Sequence, residues 1–425
     1  MSAPSPAVHV AGAPRAPAMS GCGPASCAAG GCVAHGCATV PDFIAAPSPA
    51  SRLERVLRQD AFSDADIVYL LGLDDPADCE ALRRASFDLT SRVIGDAVHY
   101  RGLLEFSNVC RLNCRYCGIR KDNRGLPRYV LSKRQVVESA LWAAENNYGS
   151  VCLQSGERRD EKFIRFVEAC IREIRRESVS ETLPHGLGLT LSLGEQDAAT
   201  YRRWREAAGE HDGVRYLMRI ETSNPELFAR LHPARDRKRM EKSWRSRLRA
   251  LDDIRAAGMQ VGTGGMIGLP GQTLADLCDD IRFYARRDVD MLGMGPYITS
   301  LGADMVEDGM MDKGPLMQLS LNMLAVTRLV LRDVNLAAST ALQTLFEDGR
   351  ERGVAYGANI VMPNISPRDV RKNYQLYDNK PCVDEERADC RGCLEGRIAA
   401  VGRRVGWNEW GCSPHYARRT AASEA

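Results

Sequence analysis

Three cysteines, Cys110, Cys114 and Cys117, stand as C-x3-C-x2-C within the run from Phe106 to Gly118. Thiolates at this spacing on one loop can each hold one iron of a [4Fe-4S] cube. No fourth cysteine follows within ligand spacing, so one iron is left open to a small chelating ligand. Zinc is the weaker alternative, because a structural zinc takes four protein ligands. A second set, Cys382, Cys390 and Cys393, reads C-x7-C-x2-C and can hold an accessory cluster. Cys22, Cys27, Cys32 and Cys37 recur every five residues, without the short pairs typical of metal sites, and read as incidental thiols on a tail. The remaining five of the fifteen, Cys79, Cys152, Cys170, Cys278 and Cys412, are isolated and read as small core residues.

The elements that must position the first set follow from pattern. Short apolar segments at 103–107, 151–155, 188–193, 215–221, 260–266, 290–294, 335–339 and 359–362 read as strands. Longer amphipathic stretches at 133–145, 160–178, 198–208, 244–257, 274–287 and 316–331 read as helices between them. Eight such alternations imply a parallel sheet that closes into an α/β (β/α)8 TIM barrel. In that fold chemistry sits after the C-terminal ends of the strands, which is where the cysteine loop lies. The expected organisation is a disordered tail rich in Ala, Pro, Gly and Cys over 1–50, an N-terminal helical cover over 51–100, the barrel over 101–370, and a C-terminal extension over 371–425. The tail carries only Arg15 and Asp42 as charges and cannot bury a core.

Composition narrows the function classes. With 57 Lys and Arg against 55 Asp and Glu in 425 residues, no global basic excess suggests a nucleic acid or anionic lipid partner. A local basic run from Arg235 to Arg249 is interrupted by Asp236 and Glu241 and reads as a solvated helix face. No apolar stretch approaches the ~18 residues of a membrane helix, and the first residues lack a secretory pattern. The expectation is a cytoplasmic protein, whose reduced thiols serve metal binding or catalysis ahead of disulfides. The seven histidines are scattered and form no nucleophilic triad.

Several phrases at strand ends then carry a family resemblance: 105–123 around the cysteines, Leu153 to Glu157, Thr190 to Glu195, Arg219 to Pro225, Met266 to Thr273, Asp290 to Tyr297, Ala358 to Asn364 and Tyr374 to Tyr377. From about Ser51 to Cys412 the chain resembles the HydE family of [FeFe]-hydrogenase maturases, within the radical S-adenosylmethionine superfamily. The resemblance implies a [4Fe-4S] cluster on Cys110, Cys114 and Cys117 and S-adenosylmethionine at its open iron. Glu221 and Arg247 would contact the amino and carboxylate groups of that cofactor, and Gly265 and Gly268 would lie near its adenine. A substrate cavity would be lined by Gln154, Ser155, Thr190, Ser192, Arg219, Met291, Thr340 and Tyr377. The accessory cysteines would hold a [2Fe-2S] or [4Fe-4S] cluster.

The implied substrate is a small organometallic iron complex carrying cysteine, carbon monoxide and cyanide. The implied partners are the maturases HydG and HydF and an electron donor such as flavodoxin or ferredoxin. Two other readings stay open at this point. One is methylornithine synthase or biotin synthase chemistry on the same barrel. The other, from a different class, is a non-catalytic iron or zinc carrier.

Overall fold

Short leucine- and valine-rich runs, buried on both faces, form a curled parallel sheet. Its strands are β1 (Ala97–Ser107), β2 (Ser150–Ser155), β3 (Gly188–Ser192), β4 (Val214–Leu217), β5 (Gln260–Thr263), β6 (Met291–Leu292), β7 (Asn335–Leu336) and β8 (Ile360–Val361). Each pairs with the next in parallel, and β8 returns to β1 with His99 opposite Ile360. Between β7 and β8 the ladder shrinks to one bridge, Ala337 opposite Ile360, flanked by amide-to-carbonyl bonds from Asn359 to Leu336 and from Ala338 to Ile360, both 2.9 Å. The computed structural model describes residues 51–211, 213–233, 243–300, 302–303, 305 and 310–424, without the side chains of 389, 390, 423 and 424. The tail with its four cysteines, most of the basic run and the Cys390 thiol therefore lie outside the described residues.

Among the described residues ten helices lie before residue 332, and the first nine of them begin on a side-chain cap. They are α1 (Arg52–Leu57), α2 (Asp64–Leu71), α3 (Pro76–Val93), α4 (Lys133–Glu145), α5 (Glu161–Glu177), α6 (Ala198–Ala207), α7 (Pro225–Leu231), α8 (Trp244–Ala256), α9 (Leu274–Arg286) and α10 (Lys313–Leu331). Reciprocal capping boxes at Ser132, Ser243 and Thr273 start α4, α8 and α9, and Asp160 and Asp197 cap α5 and α6. α2 and α3 pack against α10, where the buried Asn322 amide donates to the carbonyls of Leu71 (3.1 Å) and Leu73 (2.8 Å). None of α1 to α3 contributes to the cavity described below, so these helices thicken the barrel's flank. α10 is long and apolar enough to cross a membrane, but 72% of its most apolar window is buried among these neighbours.

Each of β3 to β8 is shorter than its apolar run, and at β5 and β4 the backbone shows why. The segment expected to continue β5 to Met266 breaks at Gly264 and Gly265, because Gly264 lies at φ +150° and a Cβ there would sit 2.1 Å from the Gly293 carbonyl oxygen. Met266–Ile267 then pairs with Gly295–Pro296 as a separate two-stranded rim. β4 likewise ends at Leu217, and the chain runs on extended to Glu221, held by Met218 N–H to Gly262 (2.8 Å) and Glu221 N–H to Gly264 (3.1 Å).

The opposite end of the barrel is closed by the C-terminal extension. Arg101 donates from Nη2 to the Gly411 carbonyl at 3.0 Å, and Arg215 donates to that of Trp410. Trp410 in turn donates from its indole to Gly186 at 2.8 Å. With that end stoppered, the opening lies above the C-terminal strand ends.

Candidate active site

A cavity of about 310 Å³ opens at the C-terminal ends of the strands. Cys110, Cys114 and Cys117 all line it, on the loop that leaves β1. The loop is held by backbone bonds from Cys117 N–H to Cys114 (3.2 Å), Arg111 N–H to Glu157 (3.1 Å) and Gly118 N–H to Leu376 (2.9 Å). Gly156 packs beneath it, since a Cβ there would lie 2.8 Å from the Cys110 Cβ. Burial, with Cys114 adding to it, pushes the Cys110 thiol up to about 11, so iron must displace its proton on binding.

The donor set fits a [4Fe-4S] cluster better than a single ion. Among the described residues no three His, Cys, Asp or Glu side chains converge as they would around one ion. Yet three thiols border one cavity and no further cysteine or histidine lines it, which suits a larger inorganic body with one position left open.

Around this loop the cavity wall is ionic and paired. Glu221 lies at φ +67°, a backbone state that costs a non-glycine residue of order 1–3 kcal/mol, and places its carboxylate in the wall. Tyr116 donates from its hydroxyl to Glu221 Oε1 at 3.2 Å, and Arg219 Nη2 lies 3.1 Å from Oε2. Arg219 also donates to the Gly265 carbonyl at 3.0 Å, leaves its buried Nε without a partner, and is 36% exposed toward the cavity. Arg247 is buried on α8, donating from Nε to Glu195 Oε1 at 2.7 Å and from Nη1 to the Arg219 carbonyl.

Of the residues expected from sequence, the cavity brings together the three cysteines, Glu221, Arg247, Gln154, Ser155, Ser192, Arg219, Thr340 and Tyr377. Four others are not in its wall. Thr190 is one inward position below Ser192 on β3 and is buried with its hydroxyl unpartnered. Met291 lies deeper on β6, its sulfur 3.1 Å from Arg101 Nη1. Gly265 sits behind Arg219, and at Gly268 the space of a Cβ is taken by Leu316 at 2.5 Å. Of the accessory cysteines, Cys382 is half-buried at φ +62° and Cys393 is exposed.

The sequence reading missed Glu105, Lys380, Tyr374 and Glu157, all in the wall, and Glu195, which pairs Arg247. Glu105 had a signal, a lone acid inside the apolar strand before the cysteine loop; Lys380 had none. The segment that bears Tyr374, Leu376, Tyr377 and Lys380 roofs the cavity, and its approach depends on a glycine. A Cβ at Gly118 would stand 2.0 Å from the Gln375 carbonyl and 2.6 Å from Ser300 Oγ. Gly118→Ala is expected to cost about 1–3 kcal/mol in urea unfolding and to make residues 372–380 sensitive to protease; an unchanged midpoint and cleavage pattern would reject this account of the roof.

Comparison with known proteins agrees with this geometry. Residues 104–284 match the radical SAM superfamily. The [FeFe] hydrogenase maturase subunit HydE of Thermotoga maritima is 37% identical over 359 residues, 84% of this chain and 96% of the relative. The solved maturase HydG of Carboxydothermus hydrogenoformans superposes with a TM-score of 0.68 at 18% identity, covering 88% of this chain and 82% of that one. Methylornithine synthase superposes with a TM-score of 0.66 at 21% identity, covering 84% and 98%. At such identities the two superpositions speak for the fold alone.

Proposed function

Because the chain belongs to the HydE family of [FeFe]-hydrogenase maturases, radical S-adenosylmethionine enzymes, we propose that it acts on a small anionic iron complex held in its barrel. The observation that carries this reading is Arg219, a guanidinium partly open to the cavity with a buried nitrogen unpartnered, above polar strand ends at Gln154, Ser155 and Ser192. A cationic group facing a largely apolar chamber with a few polar strand ends suits an iron complex bearing cyanide and carboxylate.

Cys110, Cys114 and Cys117 would hold the [4Fe-4S] cluster. When bound there, cluster and S-adenosylmethionine supply one-electron reductive cleavage of the sulfonium. Glu221 offers a carboxylate to the cofactor's ammonium, oriented by Tyr116 and Arg219. Arg247, with Nε and Nη1 engaged, offers Nη2 to its carboxylate. The roof and the plug at the barrel's far end exclude water from the chamber. An accessory cluster at Cys382, Cys390 and Cys393, and transfer from HydG and to HydF, belong to the same proposal.

Co-expression of an [FeFe]-hydrogenase with the other maturases, in a host lacking a homologue, tests it. Hydrogen evolution is expected only when this chain is supplied, and to fall at least about tenfold with Arg219→Gln. Active hydrogenase formed without the chain would reject the maturase role.

A further inference from the structure

Behind the cavity wall lies a buried acid with no cation to meet it. Asp280 stands on the buried face of α9, is 1% exposed and does not line the cavity. Among the described residues it forms no ion pair. Burial pushes its carboxyl up to about 7, the contact with Ser223 pulls the other way, and Asp276 and Asp279 add to the rise. An acid in such a place is costly unless its oxygens are bonded, and here the partner is backbone: Oδ1 accepts from the Ser223 N–H.

Ser223 follows Glu221 by two positions, and Glu221 is held in the left-handed state at φ +67°. A strained state of this kind persists where the chain is pinned on both sides. On the near side Glu221 belongs to the rim, its N–H donating to Gly264 (3.1 Å) and its carbonyl accepting from Met266 (2.9 Å). On the far side the pins come from α9. Asp280 holds Ser223, and one turn earlier Asp276 Oδ1 accepts from the Asn224 side-chain amide at 2.8 Å. Asp276 has a second duty, since its other oxygen accepts from the Thr273 N–H at 2.8 Å and caps α9. Ser223 is the one residue bonded to Asp280 among those described. Tyr284, next along the same face, removes the slack: a Cβ at Gly265 would sit 3.0 Å from its hydroxyl and 2.8 Å from the Glu221 carbonyl.

We propose that Asp280 is a positioning residue for cofactor binding: through the Ser223 amide it holds the left-handed turn at Glu221 and so aims the Glu221 carboxylate at the ammonium of S-adenosylmethionine. The inference rests on Glu221 being the cofactor's acidic contact. It asks of Asp280 an acceptor and not a charge, so asparagine serves in its place and an apolar residue does not.

The full-length chain, reconstituted with iron and sulfide and titrated with S-adenosylmethionine in a calorimeter before any reductant is added, tests this. Asp280→Leu is expected to weaken binding at least about tenfold, and Asp280→Asn to stay within about threefold of the unaltered chain. With dithionite the loss should fall on KM and leave kcat within about twofold, because the contact is made equally before and during cleavage. In the chain without iron, hydrogen exchange across 221–226 should quicken in Asp280→Leu and not in Asp280→Asn. Added to Glu221→Ala, Asp280→Leu should weaken binding no further, since both act on one contact. Full affinity in Asp280→Leu, an asparagine variant as weak as the leucine one, or losses that add in the double variant overturn the proposal. So does iron content that falls along with affinity, which would make Asp280 a support for the cysteine loop through α7, whose Leu231 carbonyl accepts from the Arg115 N–H at 3.0 Å. If Glu221→Ala binds S-adenosylmethionine as before, the carboxylate contact itself fails and the positioning with it. Where Asp280→Leu does not fold, Asp280→Ala is read in the same way.

Discussion

Replacing any one of Cys110, Cys114 and Cys117 by alanine is expected to lower 5′-deoxyadenosine formation by more than about a hundredfold, beyond the 10–100-fold typical of losing an outer-shell partner of a metal site. The three thiols line one cavity, and no other cysteine or histidine in its wall can replace a missing ligand. His232 approaches the site but has its own partners, the Tyr116 hydroxyl at 3.3 Å and the Phe228 carbonyl at 3.0 Å. The variants should still fold, because the barrel's hydrogen bonds run through the backbone of this loop and the lost volume is one sulfur each. Iron content after anaerobic reconstitution, visible absorption and product formation with dithionite would be measured together. Cys393→Ala, whose exposed side chain is proposed for the accessory cluster and does not line the cavity, serves as the contrast and should keep product formation near that of the unaltered chain. Full turnover in a Cys114→Ala chain would remove the basis for placing the cluster on this loop.

The barrel was legible because each of its signals is local. Capping residues such as Ser132 and Thr273 start helices within one turn, and the eight apolar runs fall on the eight strands. The cysteine loop was legible for the same reason, since all three ligands sit on one connection. What sequence spacing could not convey was depth and pairing. Thr190 and Ser192 share a face of β3, and only the upper one reaches the cavity. Arg247 was expected to meet the cofactor's carboxylate, but its Nε is already committed to Glu195, 52 positions away. Nor does any pattern announce that Trp410 and Gly411 stopper the barrel through Arg215 and Arg101. The radical chemistry is therefore readable from the loop, whereas the shape of the chamber that receives a substrate is set by residues that meet only in the fold.

The roof of that chamber supplies the second large expected effect. Lys380 and Glu105 are 4% and 1% exposed, lie 275 positions apart and form a buried ion pair in the cavity wall. Lys380 also donates to the Tyr374 carbonyl at 3.1 Å, and Glu105 accepts from the Asn364 amide at 3.1 Å. Lys380→Met would leave a carboxylate inside the barrel with one neutral donor, and breaking a buried pair in this way costs about 3–5 kcal/mol. Removing both charges in Glu105→Gln with Lys380→Met should restore most of that loss, because the desolvation of two ions is then no longer paid. Urea unfolding of the single and double variants gives the cycle, and hydrogen exchange across 372–381 shows whether the roof opens before the barrel does. The expected order is roof first, since in the single variant its one ionic tie to β1 is gone while the strand ladder is untouched. A cost below about 1 kcal/mol, or a double variant no more stable than the single, would mean that the pair does not hold the roof. A roof loosened in this way should also lose substrate turnover more than S-adenosylmethionine cleavage, because Tyr374 and Tyr377 face the chamber from this segment, whereas the cysteine loop, although bonded to it from Gly118 to Leu376, keeps its ties to Glu157 and within its own turn.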